Sequence, residues 1–310
     1  MPHCSLHGFS VTFALMFGLM HAAVPDACGE ETTRTSLTRE QGRTLLSRVG
    51  TWGCQYQNID PESIANSALD LIVIDPILEG ATGRTADPSE VARMQRKPDG
   101  ARRLIFAYLS IGAAEEYRSY WKPSWLVDKP DWLGSQSSDW PGSYSVKYWH
   151  SDWERIVVQA LRLIVAAGFD GAFLDRVDAY DDWRNARPGA FDEMAEFVIR
   201  LADDARAQRP GFMLISQNAE PMLSLDRFNS VIDGVSKESL LTGLQGQGTE
   251  NRSDQIAWSM NYLTKAQRVG LPILTIEYLT APSDIADVQQ RHQALGFKLF
   301  SGERLLDRLP

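Results

Sequence analysis

Cysteine and histidine are scarce in this chain of 310 residues, and their scarcity disfavours several kinds of chemistry. Three cysteines are too few for a disulfide-built scaffold. Of the five histidines, only His150 and His292 lie beyond residue 23. A metal-dependent hydrolase needs more nitrogen ligands than these, and a serine triad needs a G-x-S-x-G elbow that the sequence lacks. We therefore predict no metal and no cofactor, with His150 bonded near a helix start and His292 on a helix surface.

Positive charge is also in deficit, because 31 Lys and Arg residues stand against 40 Asp and Glu residues for a net charge of −9. Nucleic-acid binding relies on cations that neutralise phosphates, so we expect no nucleic-acid partner. The apolar content of 44% excludes a disordered chain. The glycine-rich segment 243–248 matches neither a P-loop nor a dinucleotide-binding turn. It is predicted to be a loop that is either simply flexible or able to close on a ligand.

The apolar run at residues 9–20 is too short to cross a membrane as a helix. Small residues follow it, as in a signal peptide, although no Lys or Arg precedes it. We predict a signal peptide at 1–23, a secreted or periplasmic protein, and no stable membrane insertion after its removal. An N-terminal arm at 24–48 and one domain at 49–310 would follow. Cys28 and Cys54 would then remain, either bridged or as two buried thiols.

Beyond residue 48, short apolar runs alternate with helical periodicity through eight rounds, which is typical of βα units around a parallel sheet. This pattern predicts a single (β/α)8 TIM barrel, with a doubly wound open sheet as the alternative. Asp152 is expected to cap a helix that Gly168 ends. The predicted strands are 51–56, 71–74, 103–109, 172–174, 212–215, 231–235, 273–276 and 298–300. The predicted helices include 88–96, 152–167, 190–208, 253–269 and 283–295.

A long, aromatic-rich insertion at 115–149 separates the third and fourth predicted strands, and loops of this length are commonly functional. Six of the nine tryptophans lie in it or at its edge. They are Trp121, Trp125, Trp132, Trp140, Trp149 and Trp153. Their indole rings could stack on sugars or could form a local core that packs the insertion onto the barrel. Both interpretations can hold for the cluster as a whole.

Acidic residues follow four of the predicted strands: Asp75, Asp175, Glu238 and Glu277. In a (β/α)8 barrel the carboxyl ends of the strands form the active face, so these side chains are expected to converge there. Glycoside hydrolases commonly use a pair of carboxyl groups and no metal. A single acidic residue at such a position often only caps the next helix, but four together favour catalysis.

Seven segments, in order, resemble glycoside hydrolase family 114, the endo-α-1,4-polygalactosaminidases. They are WGCQYQNID, DLIVID, AYLSIGAAEEYRSYW, WPGSYSVKYW, GFDGAFLDRVDAY, LISQNAE and GVSKESL. The resemblance implies a secreted (β/α)8 barrel that hydrolyses α-1,4-linked galactosamine or N-acetylgalactosamine polysaccharide. It places the catalytic pair at Asp175 and Glu238. By analogy with other α-retaining barrels that use strands four and six, Asp175 is assigned as nucleophile and Glu238 as general acid/base, with retention and inversion both open. The expected substrate contacts are Tyr56, Asp75, Tyr108, Glu115, Arg118, Trp149, Asp178, Tyr180, Gln217, Asn218, Glu277 and Tyr278.

Two other functions remain open at this point. A non-catalytic barrel of the same fold could bind glycans through its aromatic cleft. A deacetylase of the same glycan would normally need a metal with several histidine ligands, so the histidine count disfavours it. In each case the partner is a polysaccharide, and we predict a monomer.

Overall fold

The computed structural model describes residues 37–78 and 83–310. The predicted signal peptide, Cys28 and the first part of the predicted arm lie outside these residues. The strands are β1 (Trp52–Gln55), β2 (Leu71–Ile74), β3 (Leu104–Ser110), β4 (Ala113–Glu115), β5 (Leu133–Gln136), β6 (Ser143–Val146), β7 (Gly171–Asp175), β8 (Met213–Gln217), β9 (Gly234–Glu238), β10 (Ile273–Glu277) and β11 (Lys298–Ser301). The α-helices are α1 (Arg39–Arg48), α2 (Pro61–Asn66), α3 (Pro88–Met94), α4 (Ser151–Ala167), α5 (Tyr180–Trp183), α6 (Ala190–Gln208), α7 (Asp226–Val231), α8 (Ser253–Arg268) and α9 (Pro282–Ala294).

Eight of the strands form one parallel sheet, in the order β1-β2-β3-β7-β8-β9-β10-β11. The spatial order follows the chain order, as in a barrel, whereas a doubly wound sheet reverses direction part-way. Hydrogen bonds also connect the first and last strands of this sheet. The Trp52 indole in β1 donates to the Lys298 carbonyl in β11 (2.7 Å), and the Tyr56 amide, just after β1, donates to the carbonyl of Leu306, which follows β11 (2.7 Å). The predicted (β/α)8 barrel is confirmed.

The core has two layers because each barrel strand is buried on both faces. Alternate residues such as Val73, Phe106 and Phe173 pack inside the barrel. Their neighbours, including Ile72 and Ile105, pack outward against the helices. This period of two decides which residue at the end of each strand points into the barrel.

Helix α1, within the predicted N-terminal arm, packs on the barrel interior. Leu46 is completely buried in the inner layer, and Gly42 lies so close to Met213 that an added Cβ would approach its sulfur to 2.7 Å. The helix begins with a capping box, in which the Thr38 hydroxyl accepts from the Gln41 amide and the Gln41 side chain accepts from the Thr38 amide. Part of the predicted arm is therefore an integral part of the barrel domain.

Several local predictions need correction. Residue 231 is not in a strand, because Val231 ends α7 and β9 begins at Gly234. Asp152 does not cap α4. The N-cap is His150, whose Nδ1 accepts a hydrogen bond from the Asp152 amide at 3.2 Å. Gly168 does end this helix, with a φ of 90° that a residue lacking Cβ adopts readily.

The aromatic-rich insertion contains a three-stranded antiparallel sheet, in the order β4-β6-β5. Trp121, Trp125, Trp132 and Trp153 contact one another in a chain with ring centroids 5.0 to 5.3 Å apart. Trp132 and Trp153 are buried, so this group forms the local core that fixes the insertion to the barrel. Trp140 is different, because 55% of its surface is exposed.

Within the described residues, no helix is both long enough and apolar enough to span a bilayer. Cys54 is a free, completely buried thiol in the barrel interior, and burial raises its pKa to about 12. Cys28 lies outside the described part of the chain, so the choice between a Cys28–Cys54 bridge and two thiols stays open.

Candidate active site

The last inward-facing side chains of seven barrel strands form a ring at the carboxyl end of the barrel, which we call the mouth ring. Each follows an interior residue by two positions; Asp175 follows Phe173, and Gln217 follows Ile215. The members of the mouth ring are Tyr56, Asp75, Tyr108, Asp175, Gln217, Glu238 and Tyr278. All seven were predicted as site residues, and the barrel closure brings them together.

Asp175, at the end of β7, is held by one strong donor, because the Tyr108 hydroxyl donates to its Oδ2 at 2.7 Å. Burial and the negative charge of Glu238 raise the pKa of Asp175 to about 7, against the opposing effect of the Tyr108 bond. Asp175 and Glu238 end the two strands that pair with β8 on either side, so both carboxyl groups lie in the same sector of the mouth ring. A carboxyl group that titrates near neutral pH is suited to proton transfer or nucleophilic chemistry.

Glu238, at the end of β9, accepts a hydrogen bond on each oxygen. Asn218 Nδ2 donates to Oε1 at 2.9 Å, and the Tyr278 hydroxyl donates to Oε2 at 2.7 Å. Asn218 also accepts from the Glu238 backbone amide at 3.3 Å, so its side-chain amide contacts Glu238 twice. This carboxylate is consequently fixed in orientation.

Lys237 and Glu220 lie behind Asn218 and were missed by the sequence analysis. The side chains of Lys237 and Glu220 are 12% and 6% exposed and form an ion pair at 3.3 Å. Lys237 Nζ also contacts Asn218 Oδ1 at 3.5 Å, and Ser259 donates to Glu220 at 2.8 Å. This arrangement directs the Asn218 oxygen toward Lys237 and its NH2 group toward Glu238.

Arg118 lies between two carboxylates on the other side of the site. Its Nε donates to Glu115 at 2.7 Å and its Nη1 pairs with Asp75 at 2.9 Å. Burial raises the pKa of Asp75, and Arg118 acts against this shift. The Tyr108 hydroxyl lies 3.3 Å from Glu115, so this group is continuous with Asp175.

Gln217 lies between Asp175 and Glu238 on the intervening strand. It is 5% exposed, and its Oε1 has no hydrogen-bond partner among the described residues. A buried acceptor without a partner is costly.

Backbone strain is concentrated beside the same strand ends. Arg176, Asn218, Ala219 and Ser239 directly follow β7, β8 and β9, and all have φ between 51° and 59°. Non-glycine residues rarely adopt this conformation, and it is found preferentially at functional sites. The strain therefore marks the sector of the barrel that carries the two carboxyl groups.

Three predicted contact residues point elsewhere. Glu277 is the neighbour of the mouth-ring residue Tyr278, so it faces outward and is completely buried. Its oxygens accept from the backbone amides of Leu241 and Thr242, at 2.7 and 3.1 Å, and lie 3.1 Å from His292. His292 is thus completely buried, and the prediction that it lies on a helix surface was wrong.

Tyr180 is also buried, with its ring packed against Phe191 at 5.0 Å. Trp149 packs against Tyr148 and Trp183, and the Arg187 guanidinium lies 4.4 Å from its ring. Both residues belong to the packing beside the barrel mouth. Asp178 is half-buried; burial raises its pKa, the nearby Arg176 guanidinium opposes this shift, and the Glu238 charge adds to it.

Comparison with known proteins agrees with this geometry. The family model described as glycoside-hydrolase family GH114 matches residues 33–307. The chain belongs to family GH114. This GH114 protein is therefore a glycosidase, built on the barrel that carries the mouth ring.

Relatives of this GH114 protein are widely distributed. An uncharacterised protein of Deinococcus radiodurans is 35% identical over 276 residues, which is 88% of this chain and 86% of the relative. An uncharacterised protein of Thermotoga maritima is 34% identical over 241 residues, covering 75% of this chain and 72% of the relative.

Two solved structures share the fold. The glycoside hydrolase domain of PelA from Pseudomonas aeruginosa has a TM-score of 0.64 at 21% identity, covering 84% of this chain and 97% of that domain. Ega3 from Aspergillus fumigatus, in complex with galactosamine, has a TM-score of 0.61 at 20% identity, covering 84% and 94% of the two chains.

Within residues 37–78 and 83–310, no group of three or more His, Cys, Asp or Glu side chains is placed to hold a metal ion.

Proposed function

We propose that this protein is an exported endo-acting glycosidase that cleaves α-1,4-linked galactosamine-containing polysaccharide with Asp175 and Glu238. The observation that carries the proposal is the position of Asp175 and Glu238 in the mouth ring, at the ends of the strands on either side of β8. The predicted signal peptide agrees with a polymeric substrate outside the cytoplasm. Galactosamine in the similar Ega3 structure supports the sugar class.

The charge of the site supports an amino sugar. The carboxyl groups of Asp75, Glu115, Asp175 and Glu238 outnumber the Arg118 guanidinium, which two of them already engage. An ammonium group would enter such a site with favourable electrostatics.

In the proposed reaction, Asp175 attacks the anomeric carbon while Glu238 gives a proton to the departing glycosidic oxygen. The carbon–oxygen bond to the leaving sugar breaks as the bond to Asp175 forms. Glu238, now ionised, then removes a proton from water as that water attacks the same carbon and releases Asp175. Tyr108 orients Asp175 throughout, and Asn218 with Tyr278 orients Glu238.

The test is digestion of α-1,4-galactosamine polymers that are fully, partly or not N-acetylated, with product sizing by mass spectrometry. Asp175→Asn and Glu238→Gln should each lower kcat by about 10³-fold or more while oligosaccharide affinity stays within a few-fold. Asp181→Asn and Glu250→Gln are matched controls, because both side chains are more than half exposed.

Wild-type protein that binds these glycans but never shortens them would instead establish the glycan-binding function. Release of acetate without shortening would establish deacetylation. Anomeric configuration of the first product, followed by NMR, tests retention: an inverted product would contradict the nucleophilic role of Asp175.

A further inference from the structure

Trp140 and Arg304 come from distant parts of the chain and meet beside the mouth ring. Trp140 lies in the turn between β5 and β6, and Arg304 follows β11. The Arg304 guanidinium carbon is 5.2 Å from the centroid of the Trp140 ring and 5.7 Å from that of Tyr278. Tyr278 in turn donates to Glu238. An exposed indole is thus connected through one guanidinium group to the carboxylate assigned as proton donor.

Arg304 differs from the other arginines at the mouth in its partners. Arg118 pairs with Asp75 and Glu115, and Arg176 pairs with Asp182 at 2.5 Å. Among the described residues, Arg304 forms no hydrogen bond or ion pair, and its contacts are with the two aromatic rings. Its N–H donors are therefore available to a ligand, while the rings hold the group in place.

The indole of Trp140 is the second half of this feature. At 55% exposure it is an unusually open tryptophan, although four other tryptophans of the same region are packed together. One part of its ring faces Arg304, and the remaining surface is free for the apolar C–H face of a sugar. Aromatic rings provide such contacts at little cost in conformational entropy.

We propose that Trp140 and Arg304 form a subsite on the leaving-group side of the scissile bond, and that this subsite selects an N-acetylated hexosamine. The side follows from Tyr278 and Glu238, because the proton donor faces the departing sugar. The preference follows from charge. Arg304 repels the ammonium group of a free amino sugar, whereas its N–H groups can donate to the carbonyl of an acetamido group.

This inference rests on the proposed function and makes it more specific. The acidic site around Asp175 and Asp75 suits a free amine, whereas the platform of Trp140 and Arg304 suits an amide. The preferred bond would therefore join a free galactosamine, which becomes the new reducing end, to an N-acetylated unit, which becomes the new non-reducing end.

The experiment is digestion of a partly N-acetylated α-1,4-galactosamine polymer, with the chain ends of the products sequenced by tandem mass spectrometry. We expect the wild type to enrich N-acetylated units at new non-reducing ends several-fold above their content in the polymer. Arg304→Gln should abolish this enrichment while cleavage continues. Trp140→Ala should raise KM for the polymer about 10-fold with little change in kcat.

Trp258→Ala is the matched control, because Trp258 is 51% exposed on α8 and packs against Tyr262, and it should change neither quantity. Equal end composition in the wild type and Arg304→Gln would overturn the inference while leaving the proposed function intact. Enrichment of free amines at the new non-reducing ends would also overturn it. Failure of the wild type to cleave any polymer would overturn the proposed function itself.

Discussion

Both ends of the barrel contain buried charged groups but treat them in different ways. At the amino end, charged residues immediately precede the strands and are matched by several partners. At the mouth, acidic groups directly follow the strands, and one of them, Asp175, receives a single side-chain hydrogen bond. The contrast shows which end the fold uses for stability and which it leaves available for chemistry, in keeping with other barrels of this class.

Asp233, before β9, is representative of the amino end. Its side chain is completely buried and pairs with Arg39 at 2.7 Å and Arg206 at 3.0 Å. It also accepts from the Leu214 amide at 2.9 Å. Asp170, before β7, similarly binds Arg102 and the Ile105 amide. Each charge here joins elements that are distant in sequence, so it stabilises the closed barrel.

Asp175 is representative of the mouth. One tyrosine donates to it, Glu238 repels its ionised form, and the neighbouring Arg176 adopts a left-handed backbone conformation. The nearby negative charge and the strained backbone destabilise the folded protein and also prepare the group to react. The mouth therefore lowers the stability of the fold, and the paired charges at the amino end raise it.

Comparing substitutions of Asp175 and of Asp233 is the strongest test of this contrast. Asp175→Asn should remove activity, by about 10³-fold or more, yet raise the free energy of unfolding at pH 7 by about 1 to 2 kcal/mol, because it removes a carboxyl group that is costly to ionise. Asp233→Asn should lower the free energy of unfolding by about 3 kcal/mol, because it leaves buried arginines without their partner.

The measurements are urea unfolding and kcat at a temperature where both variants are folded. Asp233→Asn should keep kcat within about two-fold of the wild type. Comparable destabilisation by the two variants would remove the distinction between the two ends.

The pH dependence of activity sharpens the same contrast. Burial and the negative charge of Glu238 raise the pKa of Asp175 to about 7, so the pair of carboxyl groups loses its last proton as pH rises through 7. The proposed reaction needs one proton on the pair, so we expect kcat/KM to fall about 10-fold per pH unit above 7. Because the folded state binds this proton more tightly than the unfolded chain, the contribution of Asp175 to stability should decrease as pH rises from about 4 to 7.

Profiles of kcat/KM and of unfolding between pH 4 and 9 check both signs. The Asp175→Asn variant should lack this part of the stability profile. Activity that instead stays constant as pH rises above 7 would show that the proton lost near pH 7 is not the one that the reaction uses.

The smallest expected effect concerns Lys237 and Glu220, which resemble the matched pairs of the amino end but lie at the mouth. We infer that they position Asn218, which orients Glu238. The double substitution Lys237→Met with Glu220→Gln removes both charges together. It should lower kcat about 10-fold and leave KM unchanged, because only the orientation of the proton donor is affected.

A double-mutant cycle with Asn218→Ala distinguishes this role from a general loss of packing. In the Asn218→Ala background, the Lys237 and Glu220 substitutions should have no further effect on kcat. An additive loss would show that the pair does not act through Asn218.

Much of the fold could be predicted because parallel strands buried on both faces appear as short, continuous apolar runs. The same property hid one important detail. The run at 273–276 contains one polar residue, Thr275, and a single threonine does not establish which of Glu277 and Tyr278 faces the interior. The closed sheet decides in favour of Tyr278, and Glu277 instead binds the loop after β9.

The insertion shows a second limit. Its tryptophan content was evident, but which rings pack together depends on the antiparallel sheet that holds them. Trp140 and Arg304 are far apart in sequence and share no motif, so their contact has no signal in the chain. The burial of His292 was equally hard to predict, because a single histidine in a helix does not indicate that a buried carboxylate lies on a neighbouring strand.

The amino-acid sequence by itself determined the eight βα rounds, the acidic residues at the strand ends and membership in a glycosidase family, because local hydrophobic patterns and short motifs are properties of neighbouring residues. Only the tertiary structure decided which of those acidic residues face a common cleft, which one carries a raised pKa, and where an unpaired guanidinium group lies. These depend on distances and burial across the closed barrel, and barrel closure is a property of the whole chain.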